Sequence, residues 1–174
     1  MLKMKRKLKG KKASIDLIIL IVMIAVMAIL GVIFTKAFKD ISGELKAEKE
    51  FNKSADAVNA INAATDATKY LDYLILITFI GSIIGLIISS LFIDVHPAFF
   101  VIFLIILIIA VVLAGIFANV YSEVASQPEL ISTSVETFKF SNLIFDRLPL
   151  LIFIIGMIVI IILYSKTYGG GGGM

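Results

Sequence analysis

The chain has 174 residues, of which 60% are hydrophobic, and its mean hydropathy is +1.05. This composition lies far outside the range of soluble globular domains. Because there is no cysteine and only one histidine, a disulfide framework, a thiol nucleophile and a histidine-rich metal site are all disfavoured. The net charge of +3 is unevenly distributed, since seven of the sixteen basic residues lie in the first twelve positions.

The chain opens with a basic tail, residues 1–13, that contains no acidic residue. Its seven cations are Lys3, Lys5, Arg6, Lys7, Lys9, Lys11 and Lys12. Lysine and arginine beside a first membrane span usually stay on the cytoplasmic side, so the tail predicts orientation. The same side chains could also contact anionic lipid or nucleic acid, and the two interpretations are compatible.

Residues 14–35 predict the first transmembrane helix. Ser14 is a candidate N-cap, and Asp16 would lie in the first turn, where the helix dipole favours a negative charge. A basic stretch before an apolar run is also typical of a signal peptide. The run is too long for a signal peptide and lacks a small-residue cleavage pattern, so we interpret it as an anchor.

Residues 36–72 are polar and nearly neutral, and they predict an extramembrane helical hairpin. Phe38, Ile41 and Leu45 recur at helical spacing, which indicates that the first helix continues beyond the membrane. Ser54 is the predicted N-cap of a second, alanine-rich helix. We expect that helix to continue without a break into the next span.

Residues 73–118 predict a transmembrane helical hairpin. The runs 73–93 and 98–118 contain no charged residue, and each would be about 31 Å long as a helix, which matches a bilayer core. A backbone in lipid must satisfy its own hydrogen bonds, so both runs should be helices. The joint of four residues between them predicts an antiparallel pair.

The joint carries the single histidine. Asp94 is a candidate N-cap of the third span, Pro97 suits a first helical turn, and His96 is an interfacial hydrogen-bonding residue. The alternative is a proton or metal relay formed by Asp94 and His96. Their position at the end of a span rather than in its middle supports that alternative only weakly.

Small residues recur every four positions in two of the spans. They are Gly81, Gly85 and Ser89 in the second span, and Ala110, Ala114 and Ala118 in the third. Such stripes let helix backbones approach closely. Packing within the chain is the first interpretation, and an interface between copies of the chain is the second.

Residues 119–148 predict an extramembrane loop with short helices. We expect Pro128 at the first position of one of them, after a turn at Ser126–Gln127. Five apolar side chains predict a segment lying on the membrane surface: Phe138, Phe140, Leu143, Ile144 and Phe145. Residues 149–168 hold the fourth transmembrane helix, and residues 169–174 form a flexible glycine-rich end.

Together these segments predict an all-α integral membrane protein with four transmembrane helices and an extramembrane helical hairpin between the first and second. An even number of spans places both termini on the cytoplasmic or inner side. No phosphate-binding loop, metal-ligand spacing or catalytic triad is present in the sequence. We therefore expect no catalytic residue, metal or cofactor, and the lipid bilayer as the principal partner.

Three short stretches resemble small uncharacterised four-span membrane proteins of viral gene clusters. They are DVHPAFF at residues 94–100, NVYSE at 119–123, and the ending from LPL at 148–150 to YSK at 164–166. The resemblance implies a structural component of a virion membrane that contacts a protein shell or neighbouring copies. Two alternatives remain: a holin-like oligomer that permeabilises membranes, and a subunit of a cellular transporter or scaffold.

Overall fold

A computed structural model describes the backbone of residues 2–92 and 97–169, and the side chains of residues 17–92 and 101–165. The described residues form helices and turns and contain no strand. The helices are α1 Leu2–Ala47, α2 Lys49–Asn52, α3 Ala55–Thr68, α4 Leu71–Leu91, α5 Pro97–Ala125, α6 Ile131–Thr137, α7 Lys139–Asp146 and α8 Leu148–Gly169.

Four stretches of helix are long and apolar enough to cross a bilayer. They are Leu17–Ala47, Ala55–Leu91, Val101–Ala125 and Leu148–Ser165. The predicted all-α fold with four long apolar helices is therefore confirmed. At about 1.5 Å per residue, α1 alone is about 69 Å long, which exceeds any bilayer core.

The four long helices form a bundle in which α1 and α8 each pack against both α4 and α5. In the described residues α4 and α5 lie at opposite corners, although they are consecutive in the chain and run in opposite directions. The two long helices of residues 73–118 are thus separated by α1 and α8 and do not pack extensively against each other. The apolar runs could not show this, because their side chains are apolar on every face.

The core lies along the inner faces of the long helices. Leu17, Ile21 and Ala28 of α1 are fully or almost fully buried, as are Ile152 and Val159 of α8. Their spacing of four or seven residues places each set on one helix face. The opposite faces carry exposed leucine, isoleucine and valine.

The hairpin that precedes α4 consists of the end of α1, the single turn α2 and helix α3. Ser54 is the N-cap of α3, and its side chain accepts a hydrogen bond from the backbone N–H of Ala57 at 3.3 Å, which confirms that prediction. A partly buried stripe of α3 packs against α1. The chain then turns at Lys69 and Tyr70 before α4, so the expected single helix from residue 54 to 93 is interrupted there.

Two predicted helix starts are corrected. Helix α1 begins at Leu2, so Ser14 lies inside it and is not its N-cap. Lysine, leucine and methionine are good helix formers, which explains why the basic tail continues the helix. Pro128 lies in a turn, and α6 begins three residues later at Ile131.

The aromatic segment that was predicted to lie on the membrane surface packs its apolar face against other helices of the bundle. Phe138, Ile144 and Phe145 are buried, and α7 contacts α4, α5 and α8. Only Leu143 of the five apolar residues is largely exposed. Helices α6 and α7 lie at one end of the bundle, where α1 passes at Thr35 and α4 begins. We call this end the hairpin end, because the hairpin of α1, α2 and α3 extends from it.

Candidate functional site

A buried carboxylate at the hairpin end joins two helices that are distant in the sequence. Asp72, in the first turn of α4, is 2% exposed, and no other charged residue is buried among those with described side chains. Its Oδ2 accepts a hydrogen bond from the Phe140 N–H at 2.7 Å. Its Oδ1 accepts from the Ser141 N–H at 2.8 Å and from the Ser141 Oγ at 2.7 Å.

These donors belong to the first turn of α7. The N-cap of α7 is Phe138, whose side chain has no acceptor, so two N–H groups of the turn lack a local partner. Asp72 supplies that partner from another helix, and its negative charge also lies at the positive end of the α7 dipole. The carboxylate therefore acts as an N-cap in trans, holding α7 against α4.

A second polar group ties α5 to α6 and α7. The Tyr121 hydroxyl donates to Asn142 Oδ1 at 2.7 Å, and Ser134 Oγ donates to the same oxygen at 3.1 Å. The Asn142 amide in turn donates to the Ser134 carbonyl at 3.2 Å. The ring of Tyr121 also stacks on Phe145, with ring centroids 4.2 Å apart. Every polar atom of this set has a partner, so the set fixes how α6 and α7 pack against α5.

Phe138 closes the hairpin end between these two polar groups. Its side chain is fully buried, and its ring lies against Gly31 of α1, where an added Cβ would come within 3.0 Å of Phe138 Cε1. A larger residue at position 31 would require the Phe138 ring to shift by a few tenths of an ångström. Gly31 thus lets α1 and Phe138 lie in close contact.

Beside Asp72 a cleft of about 300 Å³ opens between α1, the α3–α4 turn and α7. Its charged lining residues are Lys39, Lys69, Lys139, Asp72 and Glu136. Tyr73 and Phe140 form an edge-to-face pair on its apolar side, with ring centroids 5.2 Å apart. We refer to this feature as the lysine cleft.

The three ammonium groups of the lysine cleft differ in how they are paired. Lys39 donates to Thr137 Oγ1 at 3.3 Å and lies 3.7 Å from a carboxylate oxygen of the exposed Glu136. Lys69 pairs with Asp66 at 2.6 Å in solvent. Within the described residues Lys139 forms no ion pair. Solvent-exposed ion pairs contribute little, so the pair of Lys69 with Asp66 does not prevent Lys69 from contacting another anion.

The predicted small-residue stripes have different surroundings. Ala110 and Ala114 are fully buried, and Ala118 packs partly buried against the core. Gly81 and Gly85 face open space, since an added Cβ at either would meet no atom within 4 Å. Ser89 and Gly85 instead line a shallow groove between α4 and α1. Close packing within the chain therefore uses the alanines of α5 and not the glycines of α4.

Several predicted site residues lie outside the described side chains. Asp94 and His96 fall in the part of the chain that is not described, and Pro97 is described only as the first residue of α5. The tail cations Lys3, Lys5, Arg6, Lys7, Lys9, Lys11 and Lys12 belong to α1, but their side chains are likewise outside the description. Among the described residues no group of three or more histidine, cysteine, aspartate or glutamate side chains could hold a metal ion.

Sequence reasoning missed the residues that organise this end of the molecule. In the sequence, Asp72 is only the last residue of the polar stretch 36–72, and Tyr121 is one residue of the segment 119–148. The available signal for Asp72 was its position directly before a long charge-free run. A carboxylate there must either face water or find donors at the bilayer boundary.

No protein-family model matches the chain, and neither the curated proteins nor the solved structures contain a match.

Proposed function

We propose that this chain is a non-enzymatic structural protein of a membrane. Four helices would anchor it, and the hairpin and helices α6 and α7 would be available to partner proteins. The observation that carries the proposal is the apolar outer surface of the bundle. Each long helix exposes large aliphatic side chains, such as Leu30, Ile77, Val112 and Ile161, which are 58–65% exposed. In water such a continuous surface would cause aggregation, whereas lipid covers it.

The use of polar groups at the hairpin end supports a structural role. Asp72, the buried carboxylate, accepts three hydrogen bonds from α7, and Asn142 links Tyr121 to Ser134. These groups hold helices together. Their hydrogen-bonding capacity is directed at the protein itself, as expected for a scaffold.

A virion membrane is the setting that we propose, on the basis of the resemblance to four-span proteins of viral gene clusters. There the hairpin would contact a protein shell or neighbouring copies, and the basic tail would face nucleic acid or the inner leaflet. Mass spectrometry on purified, nuclease-treated particles from the source culture, with membrane vesicles as control, tests this setting. Many copies per particle are expected; recovery only from cell membranes would end the virion proposal.

A holin-like oligomer is the second candidate, because Gly81 and Gly85 are exposed on α4 and an added Cβ at either would meet no atom within 4 Å. Such a stripe could bring copies of the chain together. Expression in a host cell, with membrane potential and growth as readouts, separates the candidates. A structural protein leaves both unchanged, whereas a pore collapses the potential. The alternative of a transporter or scaffold subunit predicts stabilisation by a substrate or by a partner protein.

A further inference from the structure

We infer that the lysine cleft binds the phosphate group of an anionic phospholipid at the hairpin end of the bundle. This inference rests on the proposed insertion of the four helices in a membrane, and it concerns a site distinct from the basic tail.

The height of the cleft matches a headgroup layer. The charge-free part of α1 ends at Thr35, and that of α4 begins at Tyr73, directly after Asp72. Lys39 is four residues beyond Thr35, about 6 Å along the helix, and Lys69 is about one turn before Asp72. A headgroup layer is about 5 to 8 Å thick, so both ammonium groups lie at the level of lipid phosphates.

Cations outnumber carboxylates in the lining of the cleft. Three lysines face Asp72 and Glu136 there, while Asp66, outside the lining, pairs with Lys69. Asp72 already accepts three hydrogen bonds from α7, so an incoming anion would be held chiefly by Lys139, which forms no ion pair within the described residues, and by Lys39. Lys139 is the first residue of α7, where the helix dipole gives no stabilisation to a cation. Because the three cations come from α1, the α3–α4 turn and α7, only the folded bundle brings them together.

The walls of the cleft suit a lipid better than a free anion. Tyr73 and Phe140 lie on its apolar side, at the start of the charge-free run of α4. Below them Leu74 and Ile77 are more than half exposed along the helix, where an acyl chain would lie. Aromatic rings commonly occupy this boundary between headgroups and hydrocarbon.

The test uses the full chain in neutral detergent micelles. Phosphatidylglycerol, phosphatidylcholine or inorganic phosphate is added, and bound ligand is measured by native mass spectrometry. The cleft variant combines Lys39→Gln, Lys69→Gln and Lys139→Gln. The control variant combines Lys46→Gln, Lys49→Gln and Lys53→Gln, which makes the same change in net charge on the hairpin, with Lys46 about 16 Å along α1 from Thr35.

We expect phosphatidylglycerol to bind more tightly than phosphatidylcholine. At low ionic strength the cleft variant should lose about 100-fold in affinity for it, while the control variant loses little. Equal affinities of the two variants would overturn the inference. So would inorganic phosphate displacing phosphatidylglycerol at equal concentration, which would assign the cleft to a free anion.

Two further measurements keep the outcome interpretable. If the cleft variant unfolds, the single changes Lys69→Gln and Lys139→Gln at exposed positions should each weaken binding about five-fold, and unchanged binding in both would overturn the inference. Failure of membrane insertion would be detected separately, by labelling of a cysteine placed on the apolar surface of α4. Absence from virions would leave this result unaffected.

Discussion

At the scale of single residues, Asp72 performs for α7 the role that a local N-cap performs in most helices. Phe138 precedes α7 without an acceptor in its side chain, and the carboxylate arrives from a helix that begins 68 residues earlier. The hydrogen bonds from Phe140 and Ser141 couple the first turn of α4 to the first turn of α7. Loss of the carboxylate therefore affects two helices at once.

Replacing Asp72 with alanine should destabilise the fold by about 2 to 3 kcal/mol, because buried N–H groups of α7 lose their acceptor. Asp72→Asn should cost less, since one amide oxygen can still accept. Unfolding of the detergent-solubilised chain, followed by circular dichroism, measures both. Asp66→Ala is the matched control: its carboxylate is exposed and pairs only with Lys69, so no measurable change is expected. Equal stability of the Asp72→Ala and Asp66→Ala variants would refute the role of Asp72 as a cap.

The role of Asp72 could not be predicted from the sequence, and the reason is physical. Ser54 caps its own helix, so its role depends only on neighbours three residues away and was predicted. Asp72 acts on Ser141, and nothing in a single sequence tells which distant N–H groups will reach it. The same holds for the hydrogen bond between Tyr121 and Asn142.

At the scale of helices, the close packing of α5 and α8 depends on a glycine, Gly156, that belongs to neither of the predicted small-residue stripes. An added Cβ at Gly156 of α8 would collide with the side chain of Leu107 on α5, and Leu107 is itself buried. The space that a glycine leaves lets these two helices approach. Gly81 and Gly85 belong to a more conspicuous pattern, yet an added Cβ at either would meet no atom within 4 Å.

Gly156→Ala should therefore destabilise the bundle by about 1 to 3 kcal/mol through overpacking. Gly81→Ala and Gly85→Ala, in open space on α4, should leave stability unchanged or raise it slightly, since alanine favours helix. Thermal unfolding in detergent compares the three. Adding Leu107→Ala to Gly156→Ala should cost less than the sum of the two separate changes, because the leucine and the new methyl group compete for one volume. A neutral Gly156→Ala variant would contradict the close contact of α5 and α8.

The sequence predicted the long helices but not which of them pack together. Charge-free runs of this length have few structural solutions in lipid, so their helical state follows directly. Their partners do not, because isoleucine and leucine cover every face and no face is marked as internal. The burial of Phe138, Ile144 and Phe145 against other helices was not predicted for a related reason: apolar spacing defines a face, but not whether lipid or protein covers it.

At the scale of the whole molecule, the polar contacts gather at one level. Asp72 with Ser141, Tyr121 with Asn142, and Lys39 with Thr137 all join segments at the hairpin end. The aliphatic surface begins immediately beyond them on α4 and α8. This sharp change from polar to apolar is typical of a bilayer boundary, and it gives the orientation of the bundle a direct test.

Because the chain contains no cysteine, each introduced cysteine is a single label. Ala63→Cys lies on the exposed face of α3, Ile84→Cys on the apolar surface of α4, and Ser165→Cys near the end of α8; all three positions are exposed in the bundle. In sealed cells with the hairpin outside, a membrane-impermeant maleimide should label Ala63→Cys at once. Ser165→Cys should react only after permeabilisation, and Ile84→Cys only after denaturation, because lipid covers it.

Two outcomes would contradict this prediction. If position 165 is labelled at once and position 63 only after permeabilisation, the orientation is the reverse, with the basic tail outside. Rapid labelling of Ile84→Cys would contradict insertion itself, because only lipid protects that exposed side chain.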